Sequence, residues 1–232
     1  MSIPTPNEGK QFEIDVSDQR YARYPVKTHV VTDKDDIVVI VKQYVVPHIQ
    51  EGDMLFISER IVAISQGRAY PIKDIKPSAL AKFLVKFVHK SPYGIGLGSP
   101  WTMELAVREA GAVRMLFAAF LSAITKPFGM RGVFYNVVGK NINAIDGPCS
   151  YTLPPYNEYA KLGPKDPDAV ARKIKSAVGC EVVIIDANDL GVNVLGRSDK
   201  DISDAFCGGV FRDNPLGQSK EQTPLCIVRK IS

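Results

Sequence analysis

The chain has 232 residues, 45% of them hydrophobic and 23% charged, with 29 Lys plus Arg against 25 Asp plus Glu and a formal net charge of +4. Enough apolar side chain is present to build a core, which excludes disorder as the main state, and 4 Cys without a C-x-x-C pair argue against a disulfide scaffold or a zinc ribbon. The basic residues are dispersed rather than clustered, the longest apolar stretch (113–124) is too short to span a bilayer, and no secretory signal is evident, so the expectations are no nucleic acid, no membrane and a cytoplasmic location.

Residues 1–20 read as a flexible N-terminal segment and 21–232 as a single domain in one or two lobes. Alternation over 12–16 fits a strand. Asp33 to Asp36 supply carboxylates for a helix start, and Ile37, Val38, Ile40, Val41, Tyr44 and Val45 follow at helical spacing until Pro47. After a Glu51-Gly52-Asp53 turn, two short apolar runs at 54–58 and 61–64 read as strands, the second closed by Gln66-Gly67-Arg68. Pro77-Ser78 opens a helix running to Val88. A loop rich in Gly and Pro (91–100) leads to helices near 101–110 and 112–125. Residues 132–138 (GVFYNVV) read as a strand, 148–164 as a long polar and aromatic loop, and Asp166-Pro167-Asp168 as the start of a helix that Gly179 ends. A strand at 181–186, a helix near 201–211 and a strand at 225–228 complete the chain. This alternation predicts an α/β (α+β) fold with mixed β-sheets and flanking helices.

Several constellations carry candidate chemistry. Asp186 ends an apolar strand, with Asn188 and Asp189 just beyond, and Asp146 follows 132–138 and a Gly-Lys-Asn turn. Ligands collect at the carboxyl ends of strands in open α/β sheets, and hard oxygens suit Mg²⁺ or Mn²⁺. The competing reading is a polar turn that caps itself. Gly94, Gly96 and Gly98 alternate without a Walker or dinucleotide pattern, which favours a linker or lid. His29, His48 and His89 are isolated and read as ordinary imidazoles. Cys207 reads as a buried thiol on an apolar helix face rather than a nucleophile. Asp53, Glu59, Arg60 and Arg68 would lie on adjacent strands, where the arginines serve either as a grip on phosphate or as edge-strand charges.

Taken in order, the motifs resemble a known family. Residues 52–68 (GDMLFISERIVAISQGR) are similar to its G-D-v-L-v-x-S-x-K-v-V-S-x-A-E-G-R segment. Pro77-Ser78-x-x-Ala81, the 103–109 stretch MELAVRE, Ala144-Ile145-Asp146, Gly163-Pro164-Lys165-Asp166-Pro167-Asp168, Val183-Ile184-Ile185-Asp186 and Pro215-Leu216-Gly217-Gln218 follow in the family's sequence. The family is coenzyme F-420-0:L-glutamate ligase, or F-420 gamma-glutamyl ligase. The resemblance spans about residues 20–230. It implies the gamma-glutamyl ligase fold, a homodimer, and a GTP-dependent amide ligation that needs Mg²⁺ or Mn²⁺. The small-molecule partners would be a carboxylate acceptor, L-glutamate and the nucleotide, GTP or ATP.

By the same resemblance, Asp146, Asp186 and Gln218 hold metal, with Asp189 as a substitute ligand. Pro25, Val26, Lys27, Glu59, Arg60, Gly217 and Gln218 meet the nucleotide, and Arg60 and Arg68 act on the transferring phosphoryl group. The sequence departs from the family where its Lys is Arg60, its Glu is Gln66 and the Thr of S-D-T is Ala187. These departures point to a divergent ligase or, alternatively, to a nucleotide- or small-molecule-binding protein on the same scaffold.

Overall fold

The computed structural model describes residues 4–88, 95–130, 132–188 and 191–231. The elements run β1 (Glu13–Val16), β2 (Gln19–Val26), α1 (Ile37–Tyr44), β3 (Met54–Ser58), α2 (Glu59–Ser65), β4 (Ala69–Pro71), α3 (Ala79–Leu84), α4 (Pro100–Ala110), α5 (Ala112–Thr125) and α6 (Val133–Val138). They continue with α7 (Lys140–Asn143), β5 (Tyr159–Lys161), α8 (Pro167–Val178), β6 (Glu181–Asn188), β7 (Gly191–Arg197), α9 (Asp204–Val210) and β8 (Leu225–Ile231). The fold is mixed α/β, as expected. The loop expected over 148–164 contains the short strand β5. His89, the first part of the 91–100 loop, and Asp189 lie outside the described residues.

Two compact units divide the chain. The first comprises residues 1–66 and 164–232, the second 67–163. The first unit holds a six-stranded mixed sheet in the order β1-β2-β8-β3-β6-β7. β3 and β6 are parallel, with Ser58 beside Ile185, while β8 runs antiparallel to both β2 and β3. Val182, Val183, Ile184 and Ile185 are all fully buried, the pattern of a strand covered on both faces. One face carries Phe56, Val183, Ile185, Cys226 and Val228 against Cys207 and Phe211, contributed by α9 and its end. α8 packs on β6 and β7, and α1 on α8. Residues 13–20, assigned by the sequence to the flexible segment, form β1 and the start of β2. α1 begins where the carboxylates suggested, for Asp36 accepts from the backbone N–H of Val38 and Val39.

The second unit gathers α3, α4, α5, α6 and the two-stranded β4-β5 sheet around Leu84, Met103, Leu105, Met115, Ile142 and Leu162. Ser99 and Thr102 form a reciprocal capping box that starts α4.

Two expected strands are helices. Residues 61–64 lie within α2, where Ile61, Val62, Ala63 and Ile64 are all buried. A four-residue apolar run has no readable period, and β3 ends at Ser58 with no turn residues before Glu59, so the chain passes directly from strand to helix. Residues 133–138 form α6, bracketed by Gly132 and Gly139 at positive φ. Phe134 and Val137, three apart, pack on the unit's core, and Arg114 Nε donates to the Val137 carbonyl at 2.8 Å. Helical packing against α5 overrides the β-propensity of Val, Phe and Tyr.

Candidate active site

The strand directions of the first unit bring most of the predicted residues to one edge. Val26 ends β2 opposite Leu225, Ile57 near the end of β3 also faces Leu225, and Ser58 is level with Ile185 of β6. The chain segments just beyond these positions therefore share the edge where β8 begins. They carry Pro25, Val26 and Lys27 from β2, Glu59 and Arg60 after β3, and Asp186, Ala187 and Asn188 at the end of β6. Pro25, Val26 and Glu59 are buried, Arg60 and Asp186 half-buried, and Lys27 exposed. Basic and acidic groups thus meet at the carboxyl ends of two parallel strands, the usual ligand position of such sheets.

The loop entering β8 completes this edge. Residues 213–224 turn back on themselves, with Gly217 at φ +75° and Asn214 Nδ2 donating to the Gly217 carbonyl at 3.0 Å. Ser58 N–H donates to the Pro224 carbonyl at 2.8 Å, which seats the loop's end on β3. Thr28 N–H donates to the Gln222 carbonyl at 3.2 Å and Gln222 Nε2 donates to the Thr28 carbonyl at 2.7 Å, so the loop is also tied to the end of β2. This places Gly217 and the exposed Gln218 on the segment bonded beside Lys27.

Two supports of the loop carried no sequence signal. Asn7 Nδ2 donates to the Pro215 carbonyl and to Thr223 Oγ1, both at 2.8 Å, and Thr223 Oγ1 donates to the Leu216 carbonyl at 2.8 Å. One N-terminal amide thus closes the base of the loop across 216 residues of sequence. Arg23, fully buried, holds the loop's root: it donates to the Val210 carbonyl at 2.9 Å, to both Asp213 oxygens and to the Gln11 carbonyl. Burial pushes the Asp213 carboxyl up, but the Arg23 guanidinium and the Gln11 N–H outweigh it and hold the group below its ordinary range.

Asp146 and Arg68 belong to the second unit. Asp146 is half-buried, and its Oδ1 accepts from Gly147 N–H at 2.8 Å. Its backbone exchanges both hydrogen bonds with Lys161, at 3.2 and 2.9 Å. Lys161 is itself buried and donates Nζ to the Ala144 carbonyl at 2.8 Å, clasping the turn that presents Asp146. Arg68 donates Nε to the Gly163 carbonyl at 2.7 Å and Nη2 to Glu109 at 2.6 Å.

The grouping of Asp53 with Arg60 and Arg68 on adjacent strands is corrected. Arg60 is on α2, Arg68 lies in the other unit, and Asp53 forms a bidentate pair with Arg229 at 2.8 Å for each bond. Gln66 likewise serves the scaffold, its amide both donating to and accepting from the Lys165 backbone at 2.9 and 2.7 Å. Cys207 is the buried thiol expected, pushed up to about 11 by burial. A shallow cleft lined by Asp15, Asp18, Arg20 and Lys230 lies at the opposite end of the sheet from the predicted residues.

The side chains named for metal, Asp186, Asp146 and Gln218, offer carboxylate and amide oxygens, which are chemically suited to a hard divalent cation. Among the described residues no three His, Cys, Asp or Glu side chains gather into a metal cluster, and no helix is long and apolar enough to cross a membrane. The family model for F420-0:Gamma-glutamyl ligase matches residues 25–192, well over half the chain, from the end of β2 to the start of β7. No curated protein matches the chain.

Proposed function

The chain belongs to the F-420-0:gamma-glutamyl ligase family, and from that premise we propose that it is a nucleotide- and divalent-metal-dependent amide ligase acting in the cytoplasm. It joins the amino group of L-glutamate to a carboxylate acceptor of the deazaflavin-coenzyme type. The observation that carries this reading is the shared edge of β2, β3, β6 and the loop before β8. Lys27, Arg60 and Asp186 lie in or just beyond the ends of those strands, and Gly217 and Gln218 belong to the loop that Thr28 bonds at Gln222.

The chemistry asks for little covalent help from the protein. An acceptor carboxylate oxygen attacks the γ-phosphorus of GTP, the bond to the β-phosphate oxygen breaks, and an acyl phosphate and GDP result. The glutamate amine then attacks the acyl carbon, phosphate departs, and the amine proton passes to solvent or to a carboxylate. Positioning and charge compensation on the phosphoryl oxygens dominate such transfers. Lys27 and Arg60 supply that charge on the nucleotide, and the backbone of the Gly217 loop shapes its seat. Asp186 and Gln218 would hold Mg²⁺ or Mn²⁺, and the ion would neutralise phosphate charge. Arg68 braces the Gly163 turn as a positioning residue.

The second reading is a nucleotide-binding protein without turnover. Ala187 favours it, because that position lacks the hydroxyl of the family's S-D-T. Calorimetric titration with GTP and with ATP, each with and without Mn²⁺, tests both readings. Metal-dependent GTP binding that is lost in Arg60→Ala supports the assignment, and no nucleotide binding at all overturns both readings.

A further inference from the structure

A chain of hydrogen bonds runs through three titratable side chains just beyond β2. His29 Nε2 lies 3.3 Å from Asp35 Oδ1, and His29 Nδ1 lies 2.9 Å from Tyr44 Oη. Asp35 is fixed through its other oxygen, for Oδ2 accepts from Thr32 N–H at 2.7 Å and from Thr32 Oγ1 at 2.8 Å. These two bonds, with the His29 ring, outweigh burial and hold the Asp35 carboxyl below its ordinary range, so it stays ionised at neutral pH. A carboxylate only accepts. The neutral imidazole therefore carries its proton on Nε2, Nδ1 keeps its lone pair, and Tyr44 donates its O–H there. Tyr44 is the last residue of α1, and its ring centroid is 5.7 Å from that of His29. The sequence reads His29 as an ordinary imidazole because no motif joins it to Asp35 or Tyr44.

The same residues are tied to the candidate edge. His29 closely follows Lys27, and the Thr28–His29 peptide is bonded on both sides. Its carbonyl accepts from Gln222 Nε2 at 2.7 Å, in the loop that bears Gly217 and Gln218, and its N–H donates to Tyr44 Oη at 3.4 Å. We propose that Tyr44, His29 and Asp35 form the proton relay of the amide-forming step. This relay rests on the ligase reading. L-glutamate arrives as an ammonium ion, and its nitrogen attacks the acyl phosphate only after one proton has left. That proton passes to Tyr44 Oη as the phenol's own proton passes to His29 Nδ1, so no tyrosinate accumulates. The imidazolium faces the Asp35 carboxylate and, with 42% of the His29 side chain exposed, returns the proton to solvent. The amine lone pair then forms the C–N bond, the acyl C–O bond to phosphate breaks, and the second nitrogen-bound proton departs with the phosphate. Tyr44 is the member that meets the substrate. Asp35 is a positioning residue, which fixes the imidazole tautomer and compensates the charge that forms on the ring.

Two nucleophiles separate the relay from the rest of the site. The full chain is given GTP, Mn²⁺ and a deazaflavin lactyl-phosphate acceptor, with either L-glutamate or hydroxylamine. Hydroxylamine is largely unprotonated at neutral pH and captures an acyl phosphate as a hydroxamate without needing a proton acceptor. Tyr44→Phe and His29→Gln, each with an unchanged circular dichroism spectrum, should form hydroxamate at the wild-type rate and lose glutamyl transfer by ~10²-fold, the scale of general acid–base catalysis. A merely structural tie lowers stability and leaves the ratio of the two products where it is. A second readout needs no turnover. Nitrogen NMR on labelled protein should show His29 protonated at Nε2 and bare at Nδ1, with the Nδ1 resonance moving in Tyr44→Phe. Glutamyl transfer at the wild-type rate in Tyr44→Phe overturns the relay, as does a neutral His29 ring protonated at Nδ1, or hydroxamate and adduct falling together; each of these leaves the ligase reading standing. A wild type that forms no glutamyl adduct fails the ligase reading, and the relay with it.

Discussion

Replacing Asn7 with alanine removes one side-chain amide that closes the loop bearing Gly217 and Gln218. Two neutral hydrogen bonds of 2.8 Å disappear, to the Pro215 carbonyl and to Thr223 Oγ1. At about 1 kcal/mol for each bond the loss is about 2 kcal/mol, equivalent to a ~30-fold shift toward the opened loop. Hydrogen exchange followed by mass spectrometry reads this directly, as protection of the amides in 214–223 falling by up to ~30-fold while the β3 and β6 amides keep theirs. The thermal midpoint should fall by about 4–8 °C, given 2–4 °C per kcal/mol for a chain of this size. Thr223→Val removes the same acceptor, so the double variant should lose about 0.5–1 kcal/mol less than the two singles combined. If exchange across 214–223 is unchanged in Asn7→Ala, the amide does not close the loop and the reasoning fails.

Gly217→Ala should weaken nucleotide binding, because an added Cβ lies 2.4 Å from Glu221 Cδ and the backbone sits at φ +75°, a conformation costing roughly 1–2 kcal/mol for an L side chain; unchanged GTP affinity would count against the loop as a binding element. Asp213 has a folded pKa below its unfolded value, so its stabilisation is present above about pH 4 and is lost as pH falls through the folded value. Acid unfolding should accordingly be shallower in Asp213→Asn, as followed by circular dichroism from neutral pH downward. Burial pushes Cys207 up to about 11 and Cys180 and Cys226 up to about 12, so these three thiols should react with a thiol reagent at mildly alkaline pH only as fast as the native protein unfolds. Immediate labelling at Cys180, Cys207 or Cys226 in the folded chain, located by peptide mapping, would contradict this. Asp53→Ala leaves Arg229 without its bidentate partner and should destabilise the fold by about 3–5 kcal/mol in urea titration, whereas nucleotide binding by the remaining folded protein stays intact.

The sequence carried the core of the first unit because its signals were local. An Asp at a helix start, unbroken Val-Val-Ile-Ile in β6 and Pro167 opening α8 each act within a few residues. The expected strand at 132–138 failed for the opposite reason. Val, Phe and Tyr are equally at home in a strand or against a helix, and only the Arg114 bond to Val137 and the packing on α5 decide between them. The candidate site divided along the same line. Asp186 could be placed at a strand end and Arg60 just after a strand from pattern, whereas Lys27 came only from the resemblance, and the parallel pairing of β3 with β6 put Arg60 and Asp186 at one edge. What braces that edge was not legible. Asn7 to Thr223, Arg23 to Asp213 and Asp53 to Arg229 join residues between 176 and 216 positions apart, and no motif records such pairs. Lys161 was hidden similarly, since a lysine that clasps Ala144 from inside a core looks like any surface lysine in the sequence.

The account turns on whether the β2, β3 and β6 edge supports ligation. Purified chain should be incubated with GTP, Mn²⁺, L-glutamate and a deazaflavin lactyl-phosphate acceptor, and product mass and phosphate release followed together. The account predicts a glutamyl adduct formed in step with phosphate, with both lost in Asp186→Asn while that variant keeps its fold. Phosphate release without adduct, or adduct formation unaffected by Asp186→Asn, would contradict it.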